Sequence, residues 1–376
     1  MRIVVNTRFL LKDQLEGIGL FTHEVFRRMV TDHPEDEFIF CFDRPYNRDF
    51  VYGDNVIPVQ VFPPARHPVL FYIWFEQAMP KIFRRYRPDA FFSPDGFCCL
   101  QTNAPKTLLT IHDLSYLHFP KHLSPLMRSY YKYFTPRYIQ KAEKIITVSN
   151  YSKADIIKNF VVEDTKIIVC PNGCREIFFP LNQPEKEKIR NKYTGGLPFF
   201  ITVGAIHPRK NLVRLIESFN IFKQKTRASH KLILVGRKAW KTSSINNVLA
   251  RSPFRKDIII TGYVKDKEVN QLIGSSFAFV YVSLWEGFGM PILEAMKCDV
   301  PVIASHSSAL PETGGNAVLW VDPFSTSSIS DGFVRILEDR HLSETLIKRG
   351  RIQRQKFNWN ATSSQIYNQM KAVVSG

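Results

Sequence analysis

The segment Glu286-Gly287-Phe288-Gly289-Met290-Pro291-Ile292-Leu293-Glu294 sets two carboxylates on either side of a glycine-rich turn and a proline. Gly287 and Gly289 let the backbone turn tightly and approach a ligand, and Pro291 suits the first position of a helix. The free N–H groups and dipole at such a helix start, just past Phe288 and Met290, suit a phosphate. Two carboxylates beside a phosphate repel it unless each has another task, such as accepting from hydroxyls. Glu294, about one turn into the helix, is placed for a ribose, and Glu286 for the other side of the same anion. A second cluster, Gly204-Ala-Ile-His-Pro-Arg209-Lys210-Asn211, puts adjacent cations at a strand-to-helix turn. They suit a diphosphate leaving group, whose charge they can neutralise without a metal. His112-Asp113 ends an apolar run, where an imidazole can bind a sugar hydroxyl or handle a proton near neutrality. Gly17-Ile-Gly19 is half of a dinucleotide fingerprint. Thr22 replaces its third glycine, so it favours a phosphate or hydroxyl rather than NAD. Read singly, these clusters are a capped helix with solvated acids, a surface basic pair and a structural histidine. His207 is left structural.

What unites them is position: each follows an apolar run of strand length. Runs at 3–8, 38–42, 56–62, 90–93, 107–112, 144–149 and 166–170 alternate with helical patterns such as 19–31, 70–87 and 122–142. The pattern repeats at 199–204, 231–236, 257–262, 277–283 and 301–305. Continuous Val, Ile, Leu and Phe strands between helices are buried on both faces and hence parallel. Two series predict an α/β protein of two doubly wound domains, whose ligands bind beyond the carboxyl ends of the strands. Domain one is read over 1–180 and domain two over 198–356, with residues 357–376 as a final helix. The polar stretch 176–197, ending in Gly195-Gly196, is read as the linker.

Length and composition agree: 376 residues, 44% hydrophobic and 23% charged, exclude disordered and fibrous classes and fit two domains. No apolar stretch approaches the ~20 residues of a membrane span, and MRIVVNTRFL enters a strand with no signal-peptide layout, so a cytoplasmic protein is expected. Six cysteines follow no zinc spacing and suit a reducing compartment, with a metal at Cys170 and Cys174 as the minor alternative. The net charge is +17. Residues 1–180 carry 23 Lys and Arg against 19 Asp and Glu, and residues 181–376 carry 28 against 15, which points to an anionic ligand or surface in the second half. The segment 69–88 runs aromatic residues into Arg84, Arg85 and Arg87. It is read chiefly as a buried helix, because Pro80 interrupts a long amphipathic face, with contact to an anionic bilayer as the alternative.

In this order the motifs resemble the GT4 family of retaining glycosyltransferases, of GT-B fold. The resemblance covers nearly the whole chain: Gly17-Ile-Gly19, Trp74-x-Glu76-Gln77, His112-Asp113-Leu114-Ser115, Val148-Ser149 to Ser152-Lys153, Pro171-Asn172-Gly173, Pro208-Arg209-Lys210-Asn211, Val235-Gly236, Thr261-Gly262-Tyr263-Val264, the 286–294 segment, Leu310-Pro311-Glu312 and the Phe-Asn-Trp at 357–359. It implies two facing Rossmann-like domains with a C-terminal helix returning to the first. Lys210 and Arg209 would hold the donor diphosphate, Glu294 the ribose, and Glu286 with the backbone of residues 287–290 the transferred sugar. His112 would contact that sugar, Gly17, Gly19 and Gly204 would line the cleft, and Tyr263 and Val264 would flank the base. The donor is a nucleotide-sugar substrate, with no separate cofactor and no metal, and the acceptor a glycan or lipid-linked glycan of cell-surface polysaccharide. Relatives with arginine after the glycine at 204 differ from this chain, which has Ala205; its His-Pro-Arg-Lys-Asn loop is more like the mannosyltransferase members, favouring GDP-mannose. No carboxylate pair stands out as a nucleophile; same-face attack with retention is what the resemblance implies, with the cation cluster as its local support. The alternatives are a UDP-sugar donor, a GT-B epimerase or hydrolase, and, outside enzymes of this fold, a basic nucleic-acid or membrane binder. No dense Lys/Arg tract or nucleic-acid module supports nucleic acid as a partner.

Overall fold

The computed structural model describes residues 1–12, 15–237 and 243–376. It divides into two compact units, Met1–Gly173 with Asn358–Gly376, and Cys174–Phe357.

The first unit holds seven strands: β1 (Arg2–Asn6), β2 (Glu37–Phe42), β3 (Val56–Gln60), β4 (Ala90–Ser93), β5 (Lys106–Thr110), β6 (Lys144–Thr147) and β7 (Ile167–Val169). All pair in parallel in the order β3-β2-β1-β4-β5-β6-β7. The second holds β8 (Phe199–Val203), β9 (Lys231–Val235), β10 (Ile258–Gly262), β11 (Ala278–Tyr281), β12 (Val302–Ser305) and β13 (Val318–Val321), in the order β10-β9-β8-β11-β12-β13. Each sheet runs outward from its first strand and then reverses, the doubly wound arrangement whose ligands gather where the order switches. Those points are β1/β4 and β8/β11. The central strands owe their place to composition: Ile3, Val4 and Val5, or Phe199, Phe200 and Ile201, are fully buried with no polar face to solvate. Strand β13, Val-Leu-Trp-Val on the sheet edge beside β12, goes unread in the sequence.

The stretch expected to be a linker is mostly ordered helix, Gln183–Thr194. Asn182 accepts from the Glu185 N–H while the Glu185 carboxylate accepts from the Asn182 N–H, a reciprocal cap. Gly195 ends the helix in the left-handed region, φ 65°. Arg190 bonds the Ser275 carbonyl at 2.9 Å, so this helix belongs to the second unit and the chain crosses between units at Gly173–Cys174.

The final helix, Trp359–Ser375, packs in the first unit on the helix Ile18–Asp32. Trp359, Ile366 and Met370 are buried, the Ser363 hydroxyl bonds the Val25 carbonyl at 2.9 Å, and the Tyr367 hydroxyl bonds Asp36 at 2.8 Å. At about 1.5–3 kcal/mol for each large apolar side chain, this docking is a major part of that unit's stability. Gly173 is required at the same place, since a Cβ there would sit 2.3 Å from the Trp359 backbone nitrogen.

Segment 69–88 departs from expectation at Pro80. The helix does not stop; it passes through a π turn at Trp74–Ala78 between helical stretches Pro68–Ile73 and Met79–Tyr86. The Glu76 carbonyl, which Pro80 cannot reach with a donor, accepts instead from the Gln101 side chain. Phe71, Trp74, Phe75, Met79 and Phe83 are buried, while Val69, Tyr72, Lys81, Arg84 and Arg85 are exposed. The all-core reading therefore holds for one face only.

Candidate functional site

In the second unit the loops after β8 and β11 meet at the switch point. Beyond β8, Gly204 has φ 148°, and a Cβ there would press on the Lys210 side chain at 3.3 Å. Residues Pro208–Lys210 form a tight turn that ends at Asn211, buried and left-handed at φ 59°. The Asn211 side chain holds this strained corner by donating to the Val282 carbonyl at 3.1 Å and the Pro323 carbonyl at 2.7 Å. The Leu284 N–H bonds the Arg209 carbonyl at 2.9 Å, tying the two loops together.

Lys210 thus points across the strand ends. Its ammonium donates to Glu286 Oε1 at 2.7 Å and to the Tyr281 hydroxyl at 2.6 Å; Arg209 lies 4.0 Å from Glu286 Oε2. Burial by itself would raise the Glu286 pKa, but the Lys210 and Arg209 charges prevail and hold it at about 2. Burial and the neighbouring Glu286 charge push the Tyr281 phenol far up, so it stays neutral. Glu286 is fixed from behind by the Ser308 hydroxyl, which accepts its N–H at 2.8 Å.

The helix Met290–Lys297 begins after Gly289, φ 103°, whose absent Cβ would lie 2.5 Å from Leu310. Pro291 is its second residue rather than its first, a one-position shift from the expected register. Phe288 is buried against Phe357, and its carbonyl accepts from Thr313. Glu294 lies within the helix, 5% exposed, and its Oε1 accepts two bonds from Arg175, at 3.1 and 2.8 Å. Tyr263 is half exposed, with Val264 beside it, in the loop between β10 and the helix Asp266–Ser275. Each carboxylate thus has its own partly buried cation, Lys210 for Glu286 and Arg175 for Glu294.

His112 belongs to the first unit, just past β5. Its Nε2 bonds the Pro94 carbonyl at 2.9 Å, and Phe21 meets the ring edge-on at 4.9 Å. Burial lowers its pKa, so the ring is neutral, carries its proton on Nε2 and keeps a lone pair on Nδ1. Gly17 and Gly19 open the helix Ile18–Asp32 for different reasons. Gly17 adopts φ 49°, whereas a Cβ on Gly19 would strike the Phe9 carbonyl at 2.4 Å. Residues 13–14, shortly before this turn, lie outside the described residues. Five of the six cysteines are buried and all are free thiols; among the described residues no group of three or more His, Cys, Asp or Glu is poised to hold a metal.

The model of the glycosyl transferases group 1 matches residues 183–353, and that of glycosyltransferase family 4 matches residues 17–175. The chain belongs to the family 4 glycosyltransferases. The O-antigen chain mannosyltransferase B of Escherichia coli is 27% identical to this glycosyltransferase, over 99% of this chain and all of that one. Among solved structures, sucrose-phosphate synthase from Thermosynechococcus elongatus aligns with TM-score 0.79 at 17% identity, over 99% of each chain. Anabaena HepE in complex with UDP and glucose aligns with TM-score 0.78 at 16% identity, over 99% of each. These neighbours share the GT-B fold.

Sequence reasoning missed four residues that organise this site: Arg175, Asn211 in its anchoring role, Tyr281 and Ser308. Tyr281 had a usable signal, since it ends a strand at the switch point. Arg175 had none, because its carboxylate partner is 119 residues away.

Proposed function

We propose that this glycosyltransferase moves mannose from GDP-mannose, with retention and without a metal ion, to a growing glycan or lipid-linked acceptor in cell-surface polysaccharide synthesis. The observation that carries the reading is the Lys210–Glu286–Arg209 cluster at the β8/β11 switch point. In the free protein Glu286 neutralises the cations; when a diphosphate arrives, Lys210 and Arg209 turn to it, and Glu286 becomes free to accept from sugar hydroxyls. Two cations on the leaving group promote departure, with oxocarbenium character at the sugar, and supply the charge a metal would otherwise bring. A released phosphate oxygen takes the proton of the acceptor hydroxyl as it attacks from the same face. Neutral His112 offers Nδ1 to a hydroxyl of the sugar and does not act as a charged acid. The mannose and GDP assignments are supported by the likeness to a mannosyltransferase and by the loop sequence at 207–211.

The acceptor's membrane is addressed by a surface of the first unit. Helices Pro68–Tyr86 and Pro125–Lys141 expose Val69, Tyr72, Leu126 and Tyr133 among Lys81, Arg84, Arg85, Arg128 and Lys132. The sole acid on either helix, Glu76, accepts from the Leu100 N–H. That composition suits peripheral contact with anionic lipid at the inner face of the cytoplasmic membrane.

The test is calorimetric titration of GDP, UDP, ADP, dTDP and NAD, with EDTA present, into wild type and Glu294→Ala. Binding of GDP that the variant loses supports the reading, and NMR of the transferred sugar's anomeric configuration tests retention. Preference for UDP would favour a UDP-sugar donor, and binding indifferent to Glu294 would overturn the site.

A further inference from the structure

We propose that Arg175 is a positioning residue for the nucleotide: it orients the Glu294 carboxylate toward the ribose and ties it to the loop that flanks the base. The inference rests on the donor-site reading above. Arg175 is the second residue of the second unit, and its side chain is 13% exposed. Nε and Nη2 both reach Oε1 of Glu294, while Nη1 meets Asp266 Oδ2 at 2.8 Å. The guanidinium also lies over the Phe178 ring, 4.7 Å from its centroid.

Three consequences follow from that geometry. A carboxylate only 7% exposed is costly unless paired, and the guanidinium supplies that pair. Both donors converge on Oε1, so the proposal gives the vicinal hydroxyls to Oε2. Asp266 opens the helix directly after Tyr263-Val264-Lys265, so one planar side chain fixes the ribose acceptor and the base-flanking loop in a common frame. A lysine ammonium, a single point charge, cannot hold both at fixed angles.

The test uses the full chain and titrates GDP and 2′,3′-dideoxy-GDP, with UDP and its dideoxy analogue in parallel, into wild type, Arg175→Met, Arg175→Lys, Asp266→Asn and Glu294→Ala. Arg175→Met is expected to weaken GDP by about 10- to 100-fold, the range of a charge-assisted hydrogen bond. Dideoxy-GDP should be little affected, so the preference for the ribose hydroxyls collapses to that of Glu294→Ala. Donor KM should rise with kcat nearly held, Arg175→Lys should recover part of the loss, and Asp266→Asn should cost only a few-fold. Equal weakening of both nucleotides would mean a purely structural role and overturn the proposal. So would a retained ribose preference in Arg175→Met. If that variant does not fold, the Lys and Asp266→Asn proteins make the same comparison. Should Glu294→Ala keep the wild-type preference, the ribose assignment itself fails; should it lose the preference while the Arg175 variants keep it, Arg175 alone is refuted.

Discussion

Replacing Glu286 by glutamine keeps the shape of the side chain and removes the charge that Lys210 and Arg209 both approach. The cost can be worked from the carboxyl's own titration. Its pKa lies at about 2 against an ordinary 4.5, so the ionised form is favoured by about 3 kcal/mol over the neutral form that glutamine mimics. A depressed carboxyl contributes this stability in full above pH 4.5 and loses it as pH falls toward 2. At pH 7 the variant should therefore be less stable by about 3 kcal/mol, a shift of about 6–12 °C for a domain of this size. The difference from wild type should narrow below pH 4.5. GDP reverses part of the effect, because its diphosphate supplies the missing charge. Scanning calorimetry with and without GDP should show a larger ligand-induced shift in Glu286→Gln than in wild type, while transfer activity falls. An unchanged melting temperature would refute the energetic coupling of Lys210 to Glu286. Weaker GDP binding in the variant would refute the idea that the carboxylate restrains the cations until a donor arrives.

Gly289→Ala should lose about 1–3 kcal/mol and much of its donor affinity, since a Cβ at φ 103° would meet Leu310 at 2.5 Å; chemical denaturation and calorimetry check both. His230 is buried among Phe200, Phe222 and Phe277, and burial, with Lys223 and Arg190 nearby, lowers its pKa to about 4. The unfolded chain takes up this proton below pH 6.5 and the folded one only near pH 4, so stability drains across that window. His230→Phe should be the more stable protein by about 1–2 kcal/mol at pH 5, as read by urea unfolding, with the gain shrinking toward pH 7. Arg84→Glu with Arg85→Glu should reduce co-sedimentation with phosphatidylglycerol vesicles several-fold while GDP affinity stays unchanged; equal sedimentation would remove the membrane surface.

The sheets were legible because their strands are apolar on both faces, a pattern that survives without any knowledge of partners. The candidate site was legible in part for a related reason: glycines, prolines and charges that serve a strand-to-helix turn must lie close together in the chain. Arg209, Lys210 and Glu286 fall in such turns, and Glu294 lies one turn into the helix that follows. What was hidden depends on partners distant in sequence. The polar run at 176–197 looked like a linker because helix Gln183–Thr194 buries little, and its cap and its Arg190 anchor appear only in three dimensions. Pro80 looked like an interruption because nothing local shows that Gln101 satisfies the freed carbonyl. Arg175 carried no motif at all, and without it the sequence could not say what pairs with the buried Glu294 carboxylate.

The return of the last helix to the first unit bears on the order in which the protein is made. Residues 174–357 are continuous, so the second unit can fold as soon as it clears the ribosome. The first unit, although translated earlier, must wait for Trp359–Ser375 before the apolar side of helix Ile18–Asp32 is covered. During synthesis the apolar side of that helix is therefore the last to be covered, and a premature stop near residue 357 would leave a complete second unit attached to a first unit with that face open.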